Sequence, residues 1–247
     1  MNLLALDTGT EFLSIALRTD GADGSRVVEH LSAGGAKAST DLIAAILGML
    51  ADAGVRLADL DAICFGSGPG SFTGLRTACS VVQGLAFGAD VPVLPVDSLL
   101  AVAEDARFRT LPDAPELTVT ALLDARMDEM YAARYLYTGG QWRTLSPSAL
   151  VRPQDWVASP VEGAPHLVAG NVFTVYADRL PATSLDAAEV VPALPTAAAM
   201  LRLAPVLLAQ GLAVDAALAM PSYIRDKVAK TTAEREAEKA AAAAAAP

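Results

Sequence analysis

The sequence is poor in the residues that most often carry catalysis and metal binding. Its 247 residues include two histidines, His30 and His166, and two cysteines, Cys64 and Cys79. The histidines lie far apart, and no His-x-x-x-His or comparable ligand spacing occurs, so we expect no dedicated zinc or iron site. No motif places a histidine beside a nucleophile, as serine-protease chemistry requires. Two cysteines are too few for a disulfide framework or a zinc ribbon, and their apolar surroundings predict buried side chains.

Basic clusters and long apolar runs are also scarce. The formal net charge is −10, and Lys and Arg are scattered singly. Because a nucleic-acid-binding surface neutralises phosphates with a basic patch, we expect a partner to hold any RNA that this protein serves. The same charge disfavours binding to anionic membranes. No apolar stretch approaches the ~20 residues that span a bilayer, and Asp7 interrupts the apolar start, so we expect a cytoplasmic protein.

Aliphatic residues, by contrast, are abundant. Hydrophobic residues make up 53% of the chain and aromatic residues 5%, which predicts packed helices with small side chains and aliphatic buried strands. Element patterns divide the chain into four parts. These are a first lobe at 1–107, a second lobe at 108–194, a C-terminal helix and closing segment at 195–226, and a charged, alanine-rich tail at 227–247 that we expect to be mobile.

Hydrophobic residues that alternate along the chain predict the strands, and hydrophobic residues at helical spacing predict the helices. The strands predicted for the first lobe are Leu3–Leu6, Phe12–Leu17, Ser25–Leu31, Ala62–Phe65 and Val91–Val96. Its predicted helices run from an N-cap at Ser39 or Thr40 to Gly54, over Leu75–Phe87, and from Ser98 to Arg107. Beyond it, we predict strands at Met130–Tyr137, Gln141–Val151 and His166–Ala169, a short helix at Pro153–Ala158 and a helix at Pro195–Leu212.

A weak internal repeat links the two lobes. In both, an apolar strand ends in an aspartate, Asp7 or Asp124, and an acidic residue follows four positions later, Glu11 or Asp128. A second strand then returns. Two lobes that begin with the same hairpin fit a duplicated α/β fold.

The glycine-rich loop between Gly66 and Arg76 is the strongest local motif. It follows a predicted strand and opens a helix, where backbone N–H groups can hold an anion. It lacks the Lys-Ser or Lys-Thr of a Walker A loop and the third glycine of a dinucleotide fingerprint. Capping of the helix and close packing are the structural alternative. The candidate anion or nucleotide contacts in the loop are Gly68, Gly70, Ser71, Thr73 and Gly74.

The turn after the first strand is a second candidate contact. Asp7 can hold a metal-bound phosphate, with the hydroxyls of Thr8 and Thr10 as further contacts. The same residues readily form an Asx-turn at a hairpin, and from the residues alone this alternative is favoured.

Four segments together resemble the bacterial TsaB family, also called YeaZ. They are Leu4–Ser14, Gly68–Arg76, Asp124-Ala125-Arg126 with Glu129 and Tyr131, and Pro221–Arg225. The resemblance covers nearly all of the chain before the tail. It implies an α/β fold of two actin-like ATPase (RNase H-like) lobes, a duplicated mixed sheet with flanking helices.

The resemblance also implies a function. TsaB-like proteins pair with a related catalytic subunit, TsaD, and work with the ATPase TsaE. Together they transfer a threonylcarbamoyl group from its adenylate to N6 of adenosine 37 in tRNAs reading ANN codons. The His-x-x-x-His motif belongs to the TsaD-like paralogue, so its absence here indicates a non-catalytic subunit. ATP or ADP with Mg is then expected at the assembled complex, and tRNA is bound through that complex.

The family pairs through helices of its first lobe, as a homodimer or with TsaD. The corresponding candidate interface residues here are Leu42, Ile46, Met49, Leu75, Ala78 and Val82. The alternative is that these helices pack only against their own sheet. The chain departs from the family at Ala38-Ser39-Thr40, where a histidine is common before the first helix. Two other functions stay open, an actin-like-fold ATPase or small-molecule kinase and, less favoured, a peptidase.

Overall fold

A computed structural model describes residues 1–225 apart from residues 23, 35, 160, 162 and 187, and for residues 36–41 it describes the backbone alone. The predicted tail at 227–247 lies outside the described residues. Within them, no helix is both long and apolar enough to cross a membrane.

Two five-stranded mixed sheets form the framework, and their topologies are the same. The strands are β1 Leu3–Asp7, β2 Phe12–Gly21, β3 Gly24–Ala33, β4 Ala62–Gly68, β5 Val93–Asp97, β6 Glu116–Arg126, β7 Glu129–Thr138, β8 Gln141–Val151, β9 His166–Gly170 and β10 Glu189–Pro192. The first sheet has the order β3-β2-β1-β4-β5 and the second the order β8-β7-β6-β9-β10. In each sheet, the first three strands in sequence pair antiparallel, and the last two join the first strand in parallel. The duplication predicted from the hairpin repeat is therefore confirmed.

Helices cover both faces of the first sheet. The helices of the described residues are α1 Ala36–Ala53, α2 Phe72–Ala89, α3 Ser98–Thr110, α4 Ala182–Leu185 and α5 Ala197–Ala209, and all but the short α4 pack on the first sheet. On the outer face, α1 packs on β2 and β3 while α2 packs on β4 and β1. Between the two sheets, α5 contacts the first sheet and α3 contacts the second, and the two helices contact each other. In sequence, α3 follows the last strand of the first sheet and α5 follows the last strand of the second, so the duplication extends to these helices.

Most predicted elements are present, with shifted ends. The strands β1 to β5 and the helix α3 contain the predicted segments, apart from two residues before β5. The N-cap prediction for α1 is wrong, because the helix begins at Ala36 and thus includes Ser39 and Thr40. The predicted short helix after β8 is a 3₁₀ turn at Pro153–Asp155. The elements that the sequence patterns did not predict are the shortest ones, α4, β10 and the 3₁₀ turns Leu57–Asp59 and Ala216–Leu218.

The helices proposed for pairing bury most of the side chains that were predicted to meet a partner. Leu42, Ile46, Leu75, Ala78 and Val82 are at most 1% exposed. All but Leu75, which is buried at the wall of the cleft, belong to the core between α1, α2 and the first sheet. Met49 is partly buried against the same core. Hydrophobic side chains at helical spacing face their own sheet first, so these residues are corrected to core positions.

Candidate functional site

A cleft of about 720 Å³ opens where the carboxyl ends of the central strands of the two sheets face each other. Crevices at such strand ends are the usual ligand sites of α/β proteins. One wall is formed by the turn after β1 and the glycine-rich loop after β4, and the other by the β6–β7 hairpin and Asn171. The closing segment from Ser222 to Arg225 completes the lining. Six predicted contacts line it, Thr8, Thr10, Gly70, Ser71, Thr73 and Gly74.

The glycine-rich loop packs directly on the turn after β1. The Thr8 hydroxyl donates to the Gly74 carbonyl at 2.7 Å, and the Ser71 N–H donates to the Gly9 carbonyl at 2.7 Å. A Cβ on Gly74 would lie 1.8 Å from the Thr8 carbonyl oxygen, so only glycine fits there. The structural role predicted as one alternative for this loop is therefore present in the protein.

Ser71 is the N-cap of α2. Its hydroxyl accepts a long hydrogen bond of 3.5 Å from the Gly74 N–H. Thr73 follows in the first turn, and its carbonyl accepts from the Thr77 hydroxyl at 3.0 Å. The N-terminus of α2 thus points into the cleft, a position in which helix N–H groups favour negative charge.

Asp7 does not reach the cleft. Its side chain is 1% exposed, and one oxygen, Oδ1, accepts from the Gly9 N–H at 2.8 Å, which makes the Asx-turn. The other oxygen, Oδ2, is buried and has no hydrogen-bond partner among the described residues. Burial raises the pKa of Asp7 to about 7, although the Gly9 N–H and the nearby Ser98 side chain oppose this shift. Asp7 and the equally buried Gly68 are therefore the two predicted contacts that the structure separates from the cleft.

Asp124, at the equivalent position in the second sheet, has donors for both oxygens. The Tyr176 hydroxyl donates to Oδ1 at 2.7 Å, and the Arg126 N–H donates to the same atom at 2.8 Å. The Arg126 guanidinium lies 3.0 Å from Oδ2. Burial, and then the bond to Asp124, raises the pKa of Tyr176 to about 12. This network fixes one corner of the cleft.

Residues of the closing segment line the cleft although they were not predicted as contacts. Tyr223 packs against Phe72 with ring centroids 5.0 Å apart, and its hydroxyl accepts from Arg76 Nε at 3.2 Å. Arg225 donates to Glu129 Oε2 at 2.7 Å. The segment was part of the family motif, but its place in sequence gives no indication that it crosses back to the cleft.

The histidines and cysteines lie away from the cleft. His30 is on β3, in the first sheet, and His166 is on β9, in the second. Cys64 and Cys79 are both buried, as predicted, and burial raises the pKa of Cys64 to about 12. Among the described residues, no three His, Cys, Asp or Glu side chains are grouped to hold a metal ion.

Known proteins resemble this chain over nearly its whole length. The family model described as TsaD, tRNA N6-adenosine threonylcarbamoyltransferase, matches residues 36–233. The tRNA threonylcarbamoyladenosine biosynthesis protein TsaB of Haemophilus influenzae is 34% identical over 92% of this chain and 95% of its own length. That of Escherichia coli is 30% identical over 93% and 96%. The solved structure of YeaZ from Pseudomonas aeruginosa has a TM-score of 0.77 and 38% identity, covering 90% of this chain and 99% of its own.

The chain belongs to the TsaB (YeaZ) family. The fold predicted from the resemblance, two actin-like lobes with mixed sheets, is confirmed by these matches and by the duplicated topology.

The TsaB-family chain exposes apolar side chains on the outer face of α1 and α2. Ile43 is 45% exposed, Leu47 50% and Phe87 80%. On α2 the exposed residues next to Phe87 are small, namely Ser80, Gly84 and Gly88. Small residues allow a second helix to approach closely, and large exposed apolar groups beside them indicate a surface for another protein.

Proposed function

We propose that this chain is a non-catalytic partner subunit required for threonylcarbamoyl transfer to tRNA. In this proposal it dimerises with a TsaD-like catalytic subunit and activates it. That subunit transfers the threonylcarbamoyl group from threonylcarbamoyl-AMP to N6 of adenosine 37 in tRNAs reading ANN codons. The named TsaB relatives, which match nearly end to end, support the pathway.

The burial of Asp7 is the observation that carries the non-catalytic assignment. In the predicted nucleotide site this carboxylate was to hold a metal-bound phosphate, yet it is 1% exposed and absent from the cleft lining. Bringing it into the cleft as an anion requires the Asx-turn to open. The two histidines of the sequence lie on different sheets and do not form a His-x-x-x-His motif, which supports the same conclusion.

The net charge of −10 supports contact with tRNA through the complex rather than directly. In this proposal a TsaE-like ATPase is the third member, ATP or ADP and Mg bind at the assembled complex, and all members are cytoplasmic. The chain forms a homodimer when no TsaD-like partner is present.

The pairing surface in this proposal is the exposed face of α1 and α2. Ile43, Leu47 and Phe87 replace the buried residues predicted from the sequence, because only exposed side chains can contact a partner. Apolar anchors surrounded by small residues are typical of well-packed helical interfaces.

An ATPase or kinase is the second candidate, favoured by the size of the cleft and by the N-terminus of α2 that points into it. Isothermal titration with ATP and MgCl₂ separates the two functions. We expect neither binding nor hydrolysis by the isolated chain. Tight binding of ATP followed by its turnover would instead support the ATPase or kinase.

Depletion tests the pathway directly. Cells depleted of this protein should lose N6-threonylcarbamoyladenosine from hydrolysed tRNA, as measured by mass spectrometry, and re-expression should restore it. Unchanged levels of this nucleoside after verified depletion would exclude the proposal.

Surface variants test the pairing. Leu47→Glu places a charge on the exposed face of α1, so it should abolish association with the TsaD-like subunit in analytical ultracentrifugation. Val175→Glu, at a 54% exposed position in the second lobe, is the matched control. Equal association of both variants would contradict this choice of surface.

A further inference from the structure

The last described residues, Pro221–Arg225, cross the mouth of the cleft. On the first-lobe side, the Ser222 N–H donates to the Ser67 carbonyl at 2.7 Å. Gly68, at φ +119°, permits this approach, because a Cβ there would lie 2.5 Å from the Ser222 carbonyl oxygen. Tyr223 then packs on Phe72 and accepts from Arg76. The segment is thus attached at three successive points to β4 and the start of α2.

On the second-lobe side, Arg225 binds the β6–β7 hairpin. Its guanidinium donates to the Ala125 carbonyl at 3.1 Å, the Arg126 carbonyl at 3.3 Å and Glu129 Oε2 at 2.7 Å. The side chain is 13% exposed, so these charge-assisted bonds are partly shielded from water. One residue therefore holds both strands of the hairpin.

The hairpin needs such support. Arg126, Met127 and Asp128 have φ values of 60°, 54° and 63°, all in the left-handed region. Two-residue hairpin turns of this kind normally contain Asn, Asp or Gly, because other residues adopt these angles at an energetic cost. Asp128 is of this type, but Arg126 and Met127 are not, so contacts from outside the turn help to stabilise it. Arg225 contacts two carbonyls at its start.

Few other bonds join the lobes at the cleft. Among the described residues that line it, one other hydrogen bond crosses between the walls, from Asn171 Nδ2 to Glu11 Oε2, and its length of 3.5 Å makes it weak. The strong interlobe contacts lie deeper, where α3 and α5 pack together between the sheets. The mouth of the cleft is therefore free to open about this deeper core unless the closing segment holds it.

We infer that Pro221–Arg225 is a latch. It fastens the strained β6–β7 hairpin to the glycine-rich loop and so sets the width of the cleft. The chain before the latch lies along α2, where the Ala219 carbonyl accepts from Gln83 Nε2 at 2.9 Å. A displacement of this part of the chain is consequently transmitted through the latch to the hairpin on the far side of the cleft.

Amide hydrogen exchange measured by mass spectrometry tests the latch on the purified full chain. Arg225→Ala should speed exchange by roughly tenfold or more in peptides covering the hairpin and, across the cleft, in peptides covering the glycine-rich loop. Arg225→Lys should have a smaller effect on both than Arg225→Ala, because the ammonium keeps a positive charge beside Glu129 but lacks the planar guanidinium. Tyr223→Ala, which removes a contact to the first lobe only, should also speed exchange in the hairpin.

Arg179→Ala is the matched control. Arg179 pairs with Asp128 of the same hairpin at 2.7 Å but belongs to the second lobe, so its loss should leave the glycine-rich loop unchanged. Should Arg225→Ala fail to fold, Arg225→Lys and Tyr223→Ala decide by the same comparison. The latch proposal is overturned if the Arg225 variants speed exchange in the hairpin alone, or if Tyr223→Ala speeds it in the glycine-rich loop alone. It is also overturned if exchange changes on neither side of the cleft.

Discussion

Replacing Asp7 with Asn should make the protein more stable at neutral and alkaline pH, and this gain should shrink as the pH falls and disappear only below 3.8, the ordinary pKa of an aspartate. Asp7 is buried and Oδ2 lacks a partner among the described residues, so the ionised form is disfavoured in the folded state. Asn keeps the acceptor for the Gly9 N–H and carries no charge. The variant therefore removes the cost of ionisation without removing the Asx-turn.

The magnitude follows from the pKa of the carboxyl group. Burial raises it from 3.8 to about 7 in the folded state. Below the unfolded-state pKa both states are protonated, so there is no cost. Between the two pKa values the unfolded state loses its proton first, and folding becomes less favourable by about 1.4 kcal/mol per pH unit. Above the folded-state pKa the cost is constant at about 4 kcal/mol.

Urea unfolding of both proteins from about pH 5.5 to about pH 8.5 measures this difference, and about 2 kcal/mol of the total should develop in that window. Titrations that the two proteins share cancel in the difference. Asp113→Asn, which removes an exposed charge, controls for net charge. A pH-independent difference for Asp7→Asn would refute the physical account of this site.

Two further substitutions test packing and charge, each against a control on the same chain. Gly74→Ala should destabilise by about 3 kcal/mol or more because its methyl group overlaps the Thr8 carbonyl, whereas Gly88→Ala, with open space around it, should stabilise α2 by up to about 1 kcal/mol in thermal unfolding. Glu104→Gln should cost about 3–5 kcal/mol, because this buried carboxylate accepts from Arg107, Arg202 and Trp142. As its control, Asp128→Asn breaks an exposed pair with Arg179 and should cost under about 1 kcal/mol. Similar losses of stability for Glu104→Gln and Asp128→Asn would refute the argument that burial determines the cost.

Local patterns were enough to predict the strands and long helices. β1 and β4 are continuous apolar runs because both faces of the first sheet are covered by helices, and such runs need no tertiary information to be recognised. The start of α1 was predicted too late because Ser39 and Thr40 are good capping residues in isolation. The short α4 and β10 have too few residues to show a period, so the patterns could not reveal them.

The composition of the site was only partly predictable. The glycine-rich loop and the turn after β1 are marked by local sequence, and the structure does bring them together. The direction in which a side chain points is not local. Leu42 and Ile46 were predicted for an interface, yet the same apolar character that suggested this places them in the core. Arg225 acts at a hairpin about 100 residues away in sequence, which no spacing can indicate.

The two sheets show why a duplicated fold does not duplicate its chemistry. Asp7 and Asp124 lie at or near the carboxyl ends of equivalent strands, but their neighbours differ. Near Asp7 lies Gly66, which has no side chain to donate a hydrogen bond, whereas Asp124 receives the hydroxyl of Tyr176 from the segment after β9. One carboxylate consequently keeps its proton up to about pH 7, and the other anchors a hairpin through bonds to both oxygens. The loops that follow the repeated strands, rather than the strands, therefore determine what each aspartate can do.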